Sequence, residues 1–342
     1  MKRVDRFRLP LGEARLRPEE KEWIEESVEF WRHRNIFSRT REAARRALGV
    51  DIALWQKAGL ATEINPGGLM SGQPDYAWVL ERGLEGILED IARAQEALDL
   101  GDPEGLRRWN FLEGARLSLE GMIALAGRYA ALAREQAEVE VDPARRAELL
   151  RLAEVCERVP ARPARDFREA IQSAWLVLLG NWLQTPNIAV AAPARFPQYM
   201  YPFYRRDLEE GRIAPEEAIE LIQFYFLRIQ SLGQVLPPQG FKYSQSRVAM
   251  QLSIGGLTPD GEDATNEVDY LVLEAKRQLM IPEPLIALLY HDKLSEEFLM
   301  ECVELIRTGI GQPAFHDARK LCLLYTSPSP RDLSTSRMPS SA

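Results

Sequence analysis

Along most of this chain apolar residues recur every three or four positions, a period that predicts helices. Over residues 18–34 it puts Trp23, Ile24, Val28 and Trp31 on one face, with acidic residues in the first turn to meet the helix dipole. Residues 104–139 form a long stretch of the same period, rich in Ala and Leu. Over 142–159 Asp142 serves as N-cap, Pro143 takes the first helical position and Pro160 ends the element. Asp166, with Glu169 three residues on, is a capping signal ahead of the apolar run 170–183. Residues 215–230 and 265–279 repeat the helical period, and Ser295 caps a helix over 296–308.

Two segments break this period. Residues 248–254 (V-A-M-Q-L-S-I), followed by Gly255-Gly256, read as a strand, and 284–290 (P-L-I-A-L-L-Y) read as a buried one. Strand, Gly-Gly turn, helix, strand, helix predicts parallel strands joined by helical crossovers. The fold class is therefore α/β and helix-rich. Pro259-Asp260-Gly261 marks a tight turn after the paired glycines. Neither a G-x-G-x-x-G nor a P-loop spacing is present there, so nucleotide binding has no support.

Composition narrows the function classes. The chain has 342 residues, 46% hydrophobic and 27% charged, enough for one large domain or two ordinary ones. Lys and Arg number 43 against 51 Asp and Glu, a net −8 that disfavours a nucleic-acid or anionic-membrane partner. The Arg-rich stretch 31–46 is interleaved with Glu and reads as a solvated helix face. Three cysteines (Cys156, Cys302, Cys322) are too few and too scattered for a disulfide framework or a cysteine zinc site. None of the three histidines forms an H-E-x-x-H pair, so no metal is expected. The first residues carry no apolar signal segment, and no run approaches 18 apolar residues. A reducing, cytoplasmic setting is expected, without a membrane anchor.

Cys302 falls on the apolar face Phe298, Leu299, Cys302, Leu305 and Ile306, which makes it a buried core thiol, and Cys156 reads the same way. His316 lies in the turn-rich stretch 311–319 and reads as a surface histidine. From Cys322 to Ala342 the composition changes: six serines, three prolines and no period. C-L-L-Y-T-S-P-S-P-R-D and S-R-M-P-S-S-A look like translated sequencing adapter, so 322–342 is expected to be a non-native, disordered tail on a body of 1–321.

Five stretches taken together resemble the pyruvate formate-lyase-like family of glycyl radical enzymes. They are 128–137 (R-Y-A-A-L-A-R-E-Q-A), 146–172, 194–204 (A-R-F-P-Q-Y-M-Y-P-F-Y), 253–275 (S-I-G-G-L-T-P-D-G onward) and 305–317 (L-I-R-T-G-I-G-Q-P-A-F-H-D). The resemblance implies a partial ten-stranded α/β barrel of the glycyl radical enzyme type, truncated before the catalytic loops. It implies radical cleavage of a C–C or C–heteroatom bond in a small organic substrate, as in formate acetyltransferases, lyases and dehydratases. It further implies a homodimer, and anaerobic chemistry in a closed barrel that keeps water and oxygen from a carbon radical. No bound cofactor is expected. The glycyl radical would be installed by a radical SAM activating enzyme carrying a 4Fe-4S cluster.

The family's cysteine sits in a Gly-Cys-x-x loop and its glycine in an Arg-Val-x-Gly-Tyr-type segment. Neither occurs here, so Cys302-Val303-Glu304 is a decoy and the chain alone is expected to be inactive. The family's Gly-His-x-x-x-Asp-Tyr segment corresponds to 70–76 (M-S-G-Q-P-D-Y), with Ser71 at the histidine position. Its Ser- and His-rich segment before Gly-Arg-Phe-Asp corresponds to 187–197, which keeps Asn187 and Arg195 but has Val190 and Ala192 at the serine positions. Substrate contacts are expected from Ser71, Gln73 and Asn187. Loss of the serine hydroxyls points to a less polar substrate than glycerol or choline. The alternative reading is a non-catalytic helical binding or scaffold protein that retains the family's shell.

Overall fold

The computed structural model describes residues 8–9, 12–13, 18–51, 54, 73–184, 192–232 and 250–317. The chain divides into two compact units, one of residues 1–72 with 233–247 and the other of 73–232 with 248–342. Ser71, Asn187 and the tail 322–342 lie outside the described residues.

In the first unit β1 (Arg8–Leu9) pairs antiparallel with β2 (Gly12–Glu13), and α1 (Pro18–Trp31) and α2 (Ile36–Leu48) follow. Asn35 caps α2 by accepting the Ser38 N–H at 2.9 Å, and Gly49, at φ 67°, closes it with its N–H on the Arg45 carbonyl. The expected apolar face of α1 is not buried: Trp23, Val28 and Trp31 are all exposed. An amphipathic stripe needs a facing apolar surface, and α2 is too rich in arginine to provide one.

The second unit carries the core. Its helices are α3 (Tyr76–Glu96), α4 (Pro103–Val139), α5 (Pro143–Arg158), α6 (Phe167–Gln184), α7 (Phe196–Glu209), α8 (Pro215–Ser231), α9 (Glu267–Leu279) and α10 (Glu296–Leu305), the last running into a π-helical turn, Ile306–Ile310. The caps follow the sequence signals. Asp142 accepts the Ala144 N–H at 3.0 Å, and Ser295 accepts the Phe298 N–H at 3.1 Å. Asp166 accepts the Glu169 N–H at 2.8 Å, while the Glu169 carboxylate reaches back to the Arg165 N–H at 2.7 Å. Helix α9 begins two residues later than its period suggested, because Asn266 and Asp269 form a reciprocal capping box. Helices α3 and α7 were not anticipated. Gly83 interrupts the first, and Pro197 and Pro202 obscure the second, although Pro197 occupies its permissive first turn.

Three strands form one parallel sheet, β3 (Gln251–Gly255), β4 (Leu285–Tyr290) and β5 (Ala314–Asp317), in sequential order. A single parallel bridge, Ala194 to Leu252, adds a fourth position on the far side of β3. The parallel pairing and helical crossovers agree with the sequence pattern. Strand β5 corrects the expectation of a turn-rich stretch: its four residues are too few for alternation to register. Side chains alternate across the sheet. Leu252, Ile254, Ile286 and Leu288 enter the core shared with α7–α10, together with the fully buried Phe196, Phe226 and Phe298. The other face carries Gln251, Ser253, Leu285, Ala287, Leu289, Ala314 and His316, by the register Ser253–Ala287–Ala314 and Gly255–Leu289–His316.

Candidate functional site at the carboxyl end of the sheet

In parallel α/β sheets, ligands and chemistry gather where the strands end, because loops there are free of the crossover geometry. Here β3 ends in Gly255-Gly256, at φ 64° and 87°, a left-handed pair that side chains would strain. A Cβ on Gly256 would also sit 3.0 Å from Arg195 Nη2 and 3.2 Å from Leu289 Cβ, so the turn is pressed between a guanidinium and a strand. Arg195 Nη2 donates to the Leu257 carbonyl at 2.6 Å, and Gln198 Nε2 donates to the Gly255 carbonyl at 3.1 Å. The first turn of α7 thus clasps the end of β3.

Asp269, almost fully buried, completes this end. Its carboxyl accepts the Gly255 and Asn266 N–H groups, both at 2.8 Å. Burial nevertheless pushes its pKa up to about 7, against the pull of those two bonds. The loop beyond Gly256 is a small hairpin, with Leu257 bridged to Asp263. It is fastened to the turn after β4 by Lys293, whose Nζ reaches the Gly261 carbonyl and Glu262, and the buried His291 lies beside it with Nε2 3.4 Å from Asp263 Oδ1. His291 Nδ1 accepts the Lys293 N–H at 3.2 Å.

The opposite end of the sheet is sealed. Lys276, fully buried in the last turn of α9, donates to the Pro282 and Pro284 carbonyls at 3.1 and 2.7 Å, beside buried Glu283. Burial lowers its pKa to about 7, and Glu283 opposes that shift. Gln312 bonds both the Ile286 N–H and the Pro282 carbonyl. These groups pin the strand entries together.

The residues singled out by sequence fare differently. Gln73 is exposed just ahead of α3, and its proposed companions Ser71 and Asn187 lie outside the described residues. In the 70–76 segment, Asp75 caps α3 through the Trp78 N–H at 3.0 Å. Tyr76, buried and stacked on Tyr199, donates to the Ala192 carbonyl at 3.1 Å. Those two positions are structural. Cys302 is fully buried on the apolar face of α10, and burial pushes its thiol up to about 12, so it is not a thiolate at neutral pH. Cys156 is likewise buried and raised to about 11. Of the face predicted around Cys302, Ile306 turns outward at the π turn. His316 is half-buried on β5 rather than a surface residue. Sequence reasoning missed Asp269 and His291: each looks like an ordinary cap or turn residue until the strands are aligned. Among the described residues no group of three or more His, Cys, Asp or Glu could hold a metal ion, and no helix is long and apolar enough to cross a membrane.

Comparison with known proteins converges on one family. The profile described as pyruvate formate lyase-like matches residues 9–326. The chain is 35% identical over 256 residues to the isethionate sulfite-lyase of Oleidesulfovibrio alaskensis, covering 74% of this chain and 31% of that protein. It is 30% identical over 306 residues to the trans-4-hydroxy-L-proline dehydratase of Clostridioides difficile, covering 87% and 38%. A structure solved for 1,2-propanediol dehydration in Roseburia inulinivorans superposes with a TM-score of 0.81 at 30% identity, covering 93% of this chain and 40% of that one. The chain therefore spans only a third to two fifths of the relatives it matches. The βα sheet, its clasped Gly-Gly end and a family profile that covers nearly the whole sequence lead to one assignment: this chain belongs to the pyruvate formate lyase-like family of glycyl radical enzymes.

Proposed function

We propose that this chain is the amino-terminal part of a glycyl radical enzyme that breaks a C–C or C–heteroatom bond of a small organic molecule. The observation that supports the reading is the fit of the sheet and its helical shell to a solved relative, with a TM-score of 0.81 over 93% of this chain and 40% of that one. The relatives include a sulfite-lyase, dehydratases and decarboxylases, and because the sulfite-lyase and a dehydratase match at higher identity, an elimination next to a carbon radical is the reaction favoured here. Formate acetyltransferase chemistry, a C–C cleavage with acyl transfer rather than an elimination, is less favoured. The radical is stored on a glycine of the longer polypeptide and installed by a radical SAM partner. The chain's own part is to supply one wall of the barrel and its clasped strand end. Alone, it does not turn over.

Ser71, Gln73 and Asn187 are retained as substrate-side candidates. The protein is expected to act as a homodimer in the cytoplasm under anaerobic conditions. The test is to express the complete gene product anaerobically with a radical SAM activating enzyme and record its EPR spectrum. An oxygen-sensitive doublet from a glycine-centred radical is expected. A complete protein that never acquires this signal is a scaffold with the family's shell, and the reading fails.

A further inference from the structure

Helix α7 begins without a capping side chain. Arg195 stands at its N-cap position and makes no cap bond there, whereas Asp142, Asp166, Asn266 and Ser295 each cap the helix they precede. Yet the start of α7 has to be fixed to the residue. Its first turn supplies both groups that hold the end of β3, Arg195 on the Leu257 carbonyl and Gln198 on the Gly255 carbonyl. A slip of one residue would turn each of these side chains by about 100° and take both away.

The segment just before the helix supplies the register. Three consecutive carbonyls there each accept a bond from a different element. Tyr76 Oη, at the start of α3, donates to the Ala192 carbonyl at 3.1 Å, and Tyr199 Oη, in α7 itself, donates to the Pro193 carbonyl at 2.8 Å. The Ser253 N–H of β3 donates to the Ala194 carbonyl at 2.7 Å. Pro193 locks its own φ and keeps Ala192 out of the helical region. Ala194 then takes φ 52°, a left-handed conformation that a Cβ resists, and the chain turns there from its bridge with Leu252 into α7. An alanine stays in that region only where its surroundings over-determine it, and the two hydroxyls and the β3 amide do so here. The rings of Tyr76 and Tyr199 stack at 5.1 Å with 18° between their planes, which holds the two hydroxyls as a unit.

We propose that Tyr76 and Tyr199 are positioning residues: acting through the 192–194 backbone, they fix where α7 begins and so keep Arg195 and Gln198 on the Gly255-Gly256 end of β3. Their hydroxyls bond the backbone before the helix rather than the turn they control. The consequence for turnover rests on the functional reading above; the positioning itself does not.

Two measurements test it. Amide hydrogen exchange of the present chain is the first. Tyr76→Phe and Tyr199→Phe should each lower the protection of the Ser253 amide about fivefold to tenfold, the worth of one ordinary hydrogen bond. The Ile286 amide, bonded to Gln312 at the opposite end of the sheet, should keep its native protection. Adding Ala194→Gly, which takes the same backbone without strain, should recover most of the loss, a rescue that general loosening of the core would not show. Tyr225→Phe is the control. It removes a buried hydroxyl that bonds nothing from the same aromatic cluster, where Phe196 packs on both Tyr199 and Tyr225, and should leave Ser253 unchanged. The second measurement uses the activated complete protein. Each of the two tyrosine variants should lower kcat/KM about tenfold at unchanged radical amplitude, with Tyr225→Phe at the native value. A complete protein without a radical signal would sink the functional reading alone, since exchange in the present chain still decides this proposal. A Ser253 amide unmoved in both variants, or one that loses protection only in step with Ile286, overturns it, as does a native kcat/KM in both activated variants.

Discussion

Gly83 offers the sharpest test of how the second unit is held together. Inside α3 it has φ 68° and ψ 164°, and the chain of 160–164 passes through the break. Leu84 N–H, whose helical acceptor would be the Leu80 carbonyl, instead donates to the Pro160 carbonyl at 2.9 Å. Glu85 N–H donates to the Ala161 carbonyl at 2.9 Å, and the vacated Leu80 carbonyl accepts the Ala164 N–H at 3.1 Å. A Cβ at position 83 would lie 2.4 Å from the Ala161 oxygen and 2.6 Å from Arg162 Cα. Both are backbone atoms that cannot swing aside.

Gly83→Ala therefore combines a backbone at φ 68° and ψ 164°, a region that only glycine takes readily and that costs an L-residue about 1–3 kcal/mol, with a displaced insertion. Displacement weakens three bonds between largely buried groups, at about 1 kcal/mol each and more for any left unpaired. The total is about 3–6 kcal/mol. Gly211 is the internal control, because it shares φ 68° but has nothing within 4 Å of its would-be Cβ. Gly211→Ala should cost only about 1 kcal/mol. Urea unfolding of both variants, with m-values compared, measures the difference, and hydrogen exchange should show the Leu84, Glu85 and Ala164 amides losing protection in Gly83→Ala alone. Equal losses in the two variants would refute the close-approach account and leave only the backbone term.

Further predictions concern the buried charges. Between about pH 7 and 10.5 the unfolded chain holds the Lys276 proton and the folded chain does not, so this group's contribution to stability rises with pH across that window. Lys276→Met should flatten that rise in pH-dependent denaturation, and at neutral pH should cost about 1–3 kcal/mol by leaving the buried Pro284 carbonyl without its donor, whereas the Pro282 carbonyl keeps Gln312 and Glu283 keeps the Met250 N–H. Asp269 acts in the opposite sense: from pH 3.8 to about 7 the folded chain holds the proton and the unfolded one has lost it, so stability falls as pH rises. Asp269→Asn should remove that slope, and an unchanged profile would mean the carboxyl is not the titrating group. Cys156 and Cys302 should stay unlabelled by iodoacetamide in the native chain at pH 8 and react on unfolding, as read by peptide mass mapping. Native labelling of Cys302 would contradict its place in the core.

The local elements were legible because their causes are local. Asp142 before Pro143, Ser295 before two glutamates and the V-A-M-Q-L-S-I-G-G run each carry cap, propensity and stop signal within a few residues. Parallel pairing was legible as well, since helical stretches between short apolar strands leave few other topologies. The family was legible because five separated stretches kept their order. Helix α3 was not, because its break at Gly83 is filled by residues nearly eighty positions later. Nor was β5, whose pairing to β4 depends on a partner rather than on its own four residues.

The same division holds for the site. Sequence alone marked Gly255-Gly256 as a special turn, since only glycine takes two successive left-handed steps without strain. It also placed Cys302 in the core through helical spacing. That Arg195 and Gln198 clasp this turn, that Asp269 holds it from below, and that His316 shares a face with Ser253 were decided only by the tertiary structure. Those relations join residues 14 to more than 60 positions apart, and a backbone amide or a strand register has no side-chain signature in the sequence. Periodicity determines which way a residue faces within its own element; only packing determines what it meets there.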